Sequence, residues 1–445
     1  MVIVIGGGAS GLMAAITAAK SGAKVTLIEH KDRVGKKILM TGNGKCNLTN
    51  VSDMHGKYYG DDMDRIYAIL EQFPADKTRT FFEQIGLYTK EKRDGGIYPV
   101  SEQAACVLDA LRTECEHQKV NILTDTEVID IVPNEQGGMI FVEKMLKEEV
   151  EPAKSKKGKN AKKVAPKMVV VGSEKMKLCY DSLILATGGQ AAAVSGSDGS
   201  GYKLAKKLGH RIIKPLPALV QLLCEGEYFK IVAGVRTQAA LKLYIHGELK
   251  AKEEGELQLT DYGISGIPVF QFSRIVARAI YEQQMKKEQV TNAVIVNIDF
   301  LTYMSEEMLA SLKQAKVKFA HKTLEEFLSG LVHKKIALLI CHKMNRKTNV
   351  KLEQMSEEAI YDCIDCLRNF EVTVIGTNSY DSAQVCSGGI PLCEISDSME
   401  SVICPHIYMV GELLDCDGIC GGYNLQWAWA TGNIAGKCAA QVLNE

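Results

Sequence analysis

The first thirty residues constrain the fold of this chain more than any other segment. Apolar residues 2–5 lead into Gly6, Gly8 and Gly11, which have the spacing Gly-x-Gly-x-x-Gly. An apolar helical stretch then leads to a second apolar run, which ends in Glu29. Glycines at this spacing allow a tight turn, close approach of the backbone to a pyrophosphate and close packing of a helix on a sheet. The segment therefore predicts a βαβ unit that binds a dinucleotide.

Glu29 narrows the choice of dinucleotide. An acid at the end of the second strand is placed to accept hydrogen bonds from an adenosine ribose, and it repels a 2′-phosphate. The pattern therefore favours FAD or NAD over NADP. The alternative is a glycine-rich turn that serves only helix packing, and Glu29 argues against it.

Length and composition set broad limits. The chain has 445 residues, is 46% hydrophobic and has a net charge of −1. It can bury a large core in two to three domains. The balanced charge gives no general attraction to nucleic acid or to an anionic membrane. No run of 18 apolar residues is present and the fold begins at Val2, so we expect a cytoplasmic protein without a signal peptide or membrane span.

The fourteen cysteines are expected to be reduced thiols, mostly packed as small hydrophobic residues. Cys363 and Cys366 form a C-x-x-C pair in a segment with helical spacing. No second pair or histidine cluster completes a metal site, so we expect no metal.

The pattern along the chain predicts an interrupted nucleotide-binding domain. Residues 182–186 are predicted as a strand, whose apolar run at 183–186 is typical of a parallel sheet, and residues 62–88 are predicted as a helix. From about Ile212 short β-like and then helical segments indicate a separate inserted domain. We therefore expect a first part of the FAD-binding domain at 1–192, an insertion at 193–372 and a second part at 373–445.

Residues 151–167 carry seven lysines and almost no large apolar side chain. Such a segment cannot order itself by burial, so a solvated loop that joins two strands is expected. A polybasic tag for a membrane or for RNA is the alternative.

A polar loop follows the Glu29 strand. Gly42, Asn43 and Gly44 form a tight turn next to Cys46 and Asn47. Backbone N–H groups and amide side chains in this loop could meet the polar edge of a ring, and an ordinary Asn-Gly turn is the alternative. Cys46 is a possible nucleophile, although a lone cysteine beside a turn more often serves packing.

Two further segments carry candidate cofactor contacts. Thr187 and Gly188 end the buried strand at 182–186, and ligands of open α/β sheets lie beyond the carboxyl ends of strands. Near the C-terminus, residues 411–426 combine acids with a Gly-Gly turn that opens a helix. An acid there could hold a ribityl hydroxyl, and the helix N-terminus could stabilise negative charge on a reduced flavin. The alternative is a surface turn with a capped helix.

Together these segments resemble a known family. Residues 36–47, 186–189, 196–202, 263–266 with Gln271, 384–389 and 411–427 are similar to the BaiN/YhiN-like NAD(P)/FAD-dependent oxidoreductases, which are also called aminoacetone oxidase family FAD-binding enzymes. More distantly, the chain resembles fumarate reductase and L-aspartate oxidase flavoproteins. The resemblance implies an α/β fold: a Rossmann-like, GR2-type FAD-binding domain with an inserted β-barrel plus helical cap domain. The lysine-rich segment departs from the family pattern.

The resemblance and the motifs together give the set of residues expected to hold FAD. They are Gly6, Gly8, Ala9, Ser10, Gly11, Glu29, His30, Lys36, Thr41, Gly42, Asn43, Gly44, Cys46, Asn47, Val128, Thr187, Gly188, Gly411, Glu412, Asp415, Gly421, Gly422, Tyr423, Asn424 and Leu425.

With FAD assigned, an oxidoreductase is expected, because the flavin carries out hydride or electron transfer. No second Gly-x-Gly-x-x-Gly unit is present. NAD(P)H would then dock briefly at the flavin, or another reductant or oxygen would be used. The leading hypothesis is NAD(P)H-linked reduction of an apolar unsaturated or keto compound, which the resemblance links to steroid (bile acid) intermediates.

Two alternatives stay open: a flavin oxidase of a small amine, and a flavoprotein that binds RNA or a protein partner. We expect a small-molecule substrate and no nucleic-acid or membrane partner, and the oligomeric state is undetermined. No acid or base can be assigned. The candidates by residue type alone, each more often structural, are His210, His246, His342, Tyr262 and Arg274.

Overall fold

The computed structural model describes residues 1–92, 94–150, 167–286, 294–312 and 314–441. The strands are β1 (Val2–Ile5), β2 (Val25–Ile28), β3 (Thr49–Asn50), β4 (Tyr58–Gly60), β5 (Thr89–Glu91), β6 (Gly96–Pro99), β7 (Asn121–Leu123), β8 (Thr126–Asn134), β9 (Gly137–Val150), β10 (Lys167–Tyr180), β11 (Ser182–Leu185), β12 (Leu216–Ala218), β13 (Leu222–Cys224), β14 (Arg236–Ile245), β15 (Glu248–Leu259), β16 (Gly263–Ser265), β17 (Val294–Asp299), β18 (Phe370–Thr377), β19 (Val385–Ser387), β20 (Ile407–Met409) and β21 (Cys416–Gly418).

The α-helices are α1 (Ala9–Lys20), α2 (Met63–Gln72), α3 (Ala75–Gln84), α4 (Ala104–His117), α5 (Ser200–Lys207), α6 (Phe229–Val232), α7 (Ile267–Lys286), α8 (Glu306–Leu312), α9 (Ala315–Lys318), α10 (Leu324–Ser329), α11 (Lys334–Lys343), α12 (Glu357–Arg368) and α13 (Tyr423–Gln441). Short 3-10 turns lie at Ile38–Gly44, Ala193–Ser195, Leu352–Gln354, Leu392–Glu394 and Gly411–Leu413.

Contacts divide the chain into two compact units. The first unit contains Met1–Pro215 and Val385–Glu445, and the second contains Leu216–Gln384. These limits differ from the boundaries expected after residues 192 and 372. Helix α5 falls within the first unit, and β18 falls within the second because it closes the barrel described below.

The first unit is built on a parallel sheet with the strand order β20-β11-β1-β2-β7. All four residues of β1 are buried, as are those of β2 and β11. Strands covered on both faces have nearly continuous apolar sequences, and these three strands match that pattern except at Thr26 and Ser182. The predicted Rossmann-like unit is therefore confirmed, and the carboxyl ends of β1, β2 and β11 meet at one edge of the sheet.

Helix α13 packs closely on α1. A Cβ atom on Gly436 would lie 2.5 Å from the carbonyl oxygen of Ala14, and Asn433 Nδ2 donates to Thr17 Oγ1 at 3.1 Å. The absence of a side chain at Gly436 thus lets the two backbones approach. This contact fixes the C-terminal helix beside the helix that follows the glycine-rich turn.

A second sheet of the first unit consists of the antiparallel strands β10, β9 and β8. Strands β9 and β10 pair from Val150 and Lys167 to Gly138 and Tyr180. The two strands expected to flank the lysine-rich segment are therefore present. The segment itself, at 151–166, lies outside the described residues.

The second unit contains a closed barrel, β13-β16-β15-β14-β17-β18, whose neighbouring strands are all antiparallel. Its core includes Leu241, Leu257 and Val296 from the strands and Phe272 and Ile340 from helices. The expected inserted β-barrel with helices is confirmed. Among the described helices none is both long and apolar enough to cross a membrane.

Candidate cofactor site

The glycine-rich turn has the backbone geometry that dinucleotide binding requires. Gly6 has φ +103°, and a Cβ atom there would overlap the carbonyl oxygen of Ala186. A Cβ atom on Gly11 would overlap the carbonyl oxygen of Gly6. By contrast, no described atom lies within 4 Å of a Cβ built on Gly8, the residue before α1. Gly6 and Gly11 are therefore required by packing, whereas the space at Gly8 is open at the helix N-terminus, where an anion binds favourably.

The start of α1 also contacts the distant C-terminal segment. Ala9 is half-buried, and Ser10 is buried at 6% exposure. A Cβ atom on Gly411 would lie 2.6 Å from Ser10 Oγ, and Gly411 has φ +69°. Trp427 Nε1 of α13 donates to the carbonyl oxygen of Gly411 at 3.0 Å. The structure thus brings the first and last predicted cofactor segments together.

Glu29 is 7% exposed and is held by backbone groups. Its Oε2 accepts from the N–H of Gly7 at 2.9 Å, and its Oε1 accepts from the N–H of Lys31 at 2.8 Å. These bonds fix the carboxylate beside the glycine-rich turn. Each carboxylate oxygen retains acceptor capacity for a ribose hydroxyl.

His30 lies between two acids. Its Nδ1 is 3.5 Å from Glu29 Oε1, and its Nε2 is 3.6 Å from Asp198 Oδ2. A Cβ atom on Gly196 would be 3.5 Å from His30 Cε1. The loop after β11 therefore lies against the end of β2.

Val128 lies in β8, close to the same strand end. The N–H of Thr126 donates to the carbonyl oxygen of Glu29 at 3.0 Å, and Val128 is half-buried two residues further on. The strand register shifts between Val128 and Asp130, which marks a bulge. The adenosine-side candidates Glu29, His30 and Val128 thus share one region.

In the loop after β2, Lys37 rather than Lys36 contacts the C-terminal segment. Lys36 pairs with Asp32, whereas Lys37 Nζ lies 2.6 Å from Glu412 Oε2. Glu412 Oε1 accepts from the N–H of Cys386 at 2.9 Å. Glu412 therefore links three separate segments. Lys37 lies in the loop predicted from the sequence. Nothing in the sequence, however, distinguishes Lys37 from Lys36 as the residue that contacts the C-terminal segment.

The turn at Gly42, Asn43 and Gly44 is exposed, and all three residues have positive φ, at 56°, 53° and 80°. Thr41 Oγ1 donates to the carbonyl oxygen of Ile38 at 2.6 Å, so its hydroxyl already has a local acceptor. Asparagine and glycine tolerate this left-handed conformation better than other residues. The sequence of the turn therefore matches its geometry.

Cys46 is a buried packing residue. It is fully buried, and burial raises the pKa of its thiol to about 11. A thiol with a raised pKa is mostly protonated near neutral pH and is a poor nucleophile. The structure therefore disfavours Cys46 as a nucleophile and favours its packing role.

Asn47 faces the N-terminus of α13. Its Oδ1 atom is buried and has no hydrogen-bond partner among the described residues, and a Cβ atom on Gly422 would lie 2.8 Å from it. The first intrahelical hydrogen bond of α13 runs from the N–H of Gln426 to the carbonyl oxygen of Gly422. The N–H groups of Tyr423, Asn424 and Leu425 thus belong to the first turn, where helix geometry supplies no acceptor.

The Asn424 side chain does not face this site. Its Oδ1 accepts from the N–H of Gly418 at 2.8 Å, and its Nδ2 donates to the carbonyl oxygen of Gly418 at 2.7 Å. It closes the turn before α13, so only its backbone N–H is available to a ligand. Tyr423 is also structural, since its carbonyl accepts from Tyr58 Oη at 3.0 Å and the two rings pack edge to face.

The other predicted contacts lie in the same unit. Thr187 Oγ1 is buried without a partner among the described residues, and Gly188 has φ +72°. Asp415 is 4% exposed, and its N–H donates to the carbonyl oxygen of Ile390 at 2.8 Å. The carbonyl oxygen of Gly421 accepts from Asn50 Nδ2 at 3.1 Å.

The residues present fit a polar cofactor. Buried polar atoms normally have hydrogen-bond partners, yet three predicted or resemblance-derived positions carry buried side-chain atoms without one among the described residues: Asn47 Oδ1, Thr187 Oγ1 and Ser387 Oγ. Open space at Gly8 and the first turn of α13 add donors to these acceptors and hydroxyls. A bound dinucleotide that carries a polar aromatic ring would supply hydrogen-bond partners for these atoms.

The acid–base candidates are not gathered at this site. His210 is buried, with Nδ1 2.9 Å from Glu394 Oε2 and Nε2 2.8 Å from Ser401 Oγ, so both ring nitrogens are occupied. His246 and His342 are exposed. Tyr262 and Arg274 lie in the second unit. None of the five is assigned a catalytic role.

The C-x-x-C pair lies on a helix of the second unit. Cys363 and Cys366 lie on α12 as free thiols, and burial raises both of their pKa values, that of Cys363 to about 12. Within the described residues no group of three or more His, Cys, Asp or Glu side chains could hold a metal ion.

Comparison with known proteins decides the family. The model described as HI0933-like protein Rossmann domain matches residues 1–151 and 139–438. This chain belongs to the HI0933-like family. The match confirms the expected family resemblance and covers both parts of the first unit as well as the inserted barrel.

Individual relatives of this HI0933-like chain match it over nearly its whole length. It is 39% identical over 442 residues to a 3-dehydro-bile acid delta(4,6)-reductase of Clostridium scindens, covering 98% of each chain. It is 28% identical over 449 residues to a ribosomal RNA dihydrouridine synthase of Escherichia coli, covering 99% of this chain and 97% of the relative. Among solved structures, a 3-ketosteroid delta1-dehydrogenase from Sterolibacterium denitrificans has a TM-score of 0.50 at 13% identity, with 99% of each chain covered, and shows a shared fold.

Proposed function

We propose that this chain is an FAD-dependent oxidoreductase that uses NAD(P)H to reduce a carbon–carbon double bond conjugated to a carbonyl group. An apolar, steroid-like substrate is the favoured class. The observation that carries the cofactor assignment is the position of the buried Asn47 Oδ1 atom beside the first turn of α13.

This arrangement of one acceptor beside backbone N–H donors matches the polar edge of a flavin. The pyrimidine end of the ring system presents an N–H flanked by two carbonyl oxygens. Asn47 Oδ1 supplies an acceptor for the N–H, and the N–H groups of Asn424 and Leu425 supply donors for an oxygen. The helix N-terminus also favours negative charge that develops on the ring during reduction.

The other segments would hold the rest of the cofactor. The open space at Gly8 takes a pyrophosphate, and Glu29 accepts from the ribose. Glu412 connects Lys37 and the backbone of Cys386 beside the candidate cofactor site. When bound, FAD would supply the hydride transfer, while these residues bind it, orient it and exclude water.

The substrate class rests on the relatives. The Clostridium scindens relative at 39% identity is named for reduction of a 3-dehydro-bile acid at delta(4,6), a carbon–carbon double-bond system conjugated to a ketone. The Escherichia coli relative is named for dihydrouridine, which differs from uridine by saturation of a double bond conjugated to a ring carbonyl. Both names describe the same bond type, and the higher identity favours the steroid class.

The NAD(P)H linkage rests on the resemblance to NAD(P)/FAD-dependent oxidoreductases, and the sequence has no second dinucleotide fingerprint. A nicotinamide donor would then visit the flavin rather than reside in a domain of its own. Anaerobic mixing of the purified yellow protein with NADH or NADPH tests this directly. Bleaching of the flavin absorbance supports the proposal, and an unchanged spectrum with both donors contradicts the linkage.

A second candidate is reduction of uridine in ribosomal RNA, favoured by the full-length match to the two dihydrouridine synthases. Dihydrouridine formed in rRNA incubated with NADPH and the protein, without turnover of a 4,6-dien-3-one steroid acid, would select it. The amine-oxidase alternative is tested by peroxide release from small amines in air without nicotinamide.

A further inference from the structure

One face of the β5–β6 hairpin combines aromatic and basic side chains. Lys90 pairs with Tyr98 across the two strands, and the N–H of Val100 donates to the carbonyl oxygen of Tyr88 at 3.0 Å. Residues two apart on a strand point to the same side. Tyr88, Lys90, Lys92, Tyr98 and Val100 therefore share one side, called here the hairpin face.

The hairpin face has an excess of positive charge. Glu102 is contacted by Lys90 at 2.8 Å, by Lys92 at 2.9 Å and by Lys45 at 3.4 Å. These three ammonium groups exceed the single carboxylate by two charges. Burial raises the pKa of Tyr98, and the carboxylate of Asp94 in the hairpin turn raises it further. The negative charge of Asp94 therefore offsets part of the positive excess. The cluster thus remains suited to a small anion.

Two side chains at one end of this face, Tyr88 and Val100, are exposed. Tyr88 is 71% exposed and Val100 is 56% exposed, so an apolar surface faces solvent beside Lys90. Lys92 Nζ lies 4.2 Å from the centre of the Tyr98 ring. A base can stack on an exposed tyrosine while nearby lysines contact phosphates. Along an extended strand, Tyr88 and Lys92 are about 13 Å apart, which leaves room for both.

The hairpin face is continuous with the candidate cofactor site. A Cβ atom on Gly96 would lie 3.0 Å from Asn47 Nδ2 and 3.2 Å from Tyr98 Cε2, and a Cβ atom on Gly42 would lie 3.8 Å from Tyr98 Cε1. Lys45 belongs to the same loop as Gly42 and Asn47. A ligand on this face would therefore lie next to the loop proposed to meet the flavin.

We propose that the hairpin face is the docking site for the pyrophosphate and adenine of the visiting nicotinamide dinucleotide. The lysines bind the pyrophosphate, and Tyr88 stacks on the adenine. This assignment rests on the proposed function. An RNA strand fits less well, because three lysines around one acid do not form the long basic stripe typical of nucleic-acid binding, and the chain carries a net charge of −1.

The test uses the FAD-loaded protein in anaerobic stopped-flow mixing with NADH and with NADPH. In K90Q/K92Q the apparent Kd for flavin bleaching should rise about tenfold for both donors, because charge-assisted contacts to the shared pyrophosphate are lost. Reduction by dithionite, which needs no docking, should be unchanged. E102Q should lower the apparent Kd, because the lysines are freed from their acid, and a purely structural role would not produce that gain.

The matched control is K250Q/K252Q on β15 of the second unit, which should leave both values unchanged. Bleaching of wild type with an apparent Kd that K90Q/K92Q does not alter would overturn the hairpin-face assignment alone. The assignment is also overturned if K90Q/K92Q no longer binds an RNA oligonucleotide that wild type binds, while its apparent Kd for both donors is unchanged. Failure of both donors to bleach wild type would overturn the NAD(P)H linkage itself, and the hairpin-face assignment with it.

Discussion

Lys37 Nζ lies 2.6 Å from Glu412 Oε2, although 375 positions separate the two residues in the chain. Their side chains are only 25% and 18% exposed. The ion pair joins the loop after β2 to the segment before α13, and Glu412 also accepts from the backbone of Cys386. The Glu412 carboxylate thus connects three chain segments of the candidate cofactor site.

Replacement of Glu412 by Gln should weaken flavin binding. The amide keeps the size of the side chain but loses the charge that holds Lys37, so the loop and the C-terminal segment are less firmly fixed. We expect the Kd for FAD, measured by quenching of flavin fluorescence on apoprotein, to rise about tenfold. Glu256→Gln on the exposed ion pair with Arg236 is the control. An unchanged Kd in Glu412→Gln would show that the ion pair does not support the pocket.

Gly8 and Gly11 should separate cofactor binding from folding. Gly8 has φ −80° and open space where a Cβ would lie, so Gly8→Ala should change the free energy of unfolding of the apoprotein by about 0.5 kcal/mol or less. It should nevertheless weaken FAD binding more than about tenfold, because the methyl group takes the phosphate position.

Gly11→Ala should instead destabilise the apoprotein by roughly 1–3 kcal/mol, since its Cβ overlaps the carbonyl oxygen of Gly6. Chemical denaturation of the two apoproteins measures both effects. Full retention of FAD by Gly8→Ala would place the pyrophosphate elsewhere.

His210 should make stability depend on pH. Burial lowers the pKa of His210 below its ordinary value of 6.5, against the opposing effect of Glu394. The unfolded chain therefore binds a proton near pH 6.5 that the folded chain does not, and stability is lost as the pH falls through 6.5. The slope from one such group is at most about 1.4 kcal/mol per pH unit.

The corresponding variant is His210→Gln, which does not titrate. Its free energy of unfolding should fall less steeply between pH 7.5 and pH 5.5, on the order of the single-group slope, and the exposed His246→Gln should retain the wild-type slope. Parallel curves for wild type and His210→Gln would show that the histidine does not change its protonation on unfolding.

Cys46 should be chemically inert in the folded protein. Its thiol is buried with a pKa of about 11, whereas Cys179 and Cys393 are exposed. Alkylation by iodoacetamide at neutral pH, followed by peptide mass spectrometry, should modify Cys46 on the order of 100-fold more slowly than Cys179. Comparable rates, or loss of flavin reduction in Cys46→Ala with FAD still bound, would restore a chemical role.

The sequence predicted the parts of the site that local pattern determines. The glycine spacing at 6–11 and the strand pattern around it follow from steric rules that act within thirty residues, and the structure has this unit. The fold class could also be predicted from the sequence, because apolar runs such as 183–186 and the change of pattern near Ile212 are strong signals.

Contacts between distant segments could not be predicted in this way. Neither Lys36 nor Lys37 is marked by sequence as the partner of Glu412, because the path of the loop decides which side chain points inward. The sequence likewise did not indicate that the Asn424 side chain would form hydrogen bonds within the turn that precedes α13. The single helix expected at 62–88 is wrong: α2 ends at Gln72, and Pro74 precedes α3. Proline disfavours helical conformation in the residue before it, so that signal was present.

The function proposed for this chain is hydride transfer from a nicotinamide donor to a conjugated double bond, which a bound FAD would supply. The most direct measurement is anaerobic double mixing, in which the FAD-loaded protein is first reduced by NADPH or NADH and then mixed with a 4,6-dien-3-one steroid acid. We expect the flavin absorbance to be bleached in the first step and to return in the second, with formation of the reduced steroid. A flavin that stays bleached after the steroid is added, or that neither donor reduces, would contradict it.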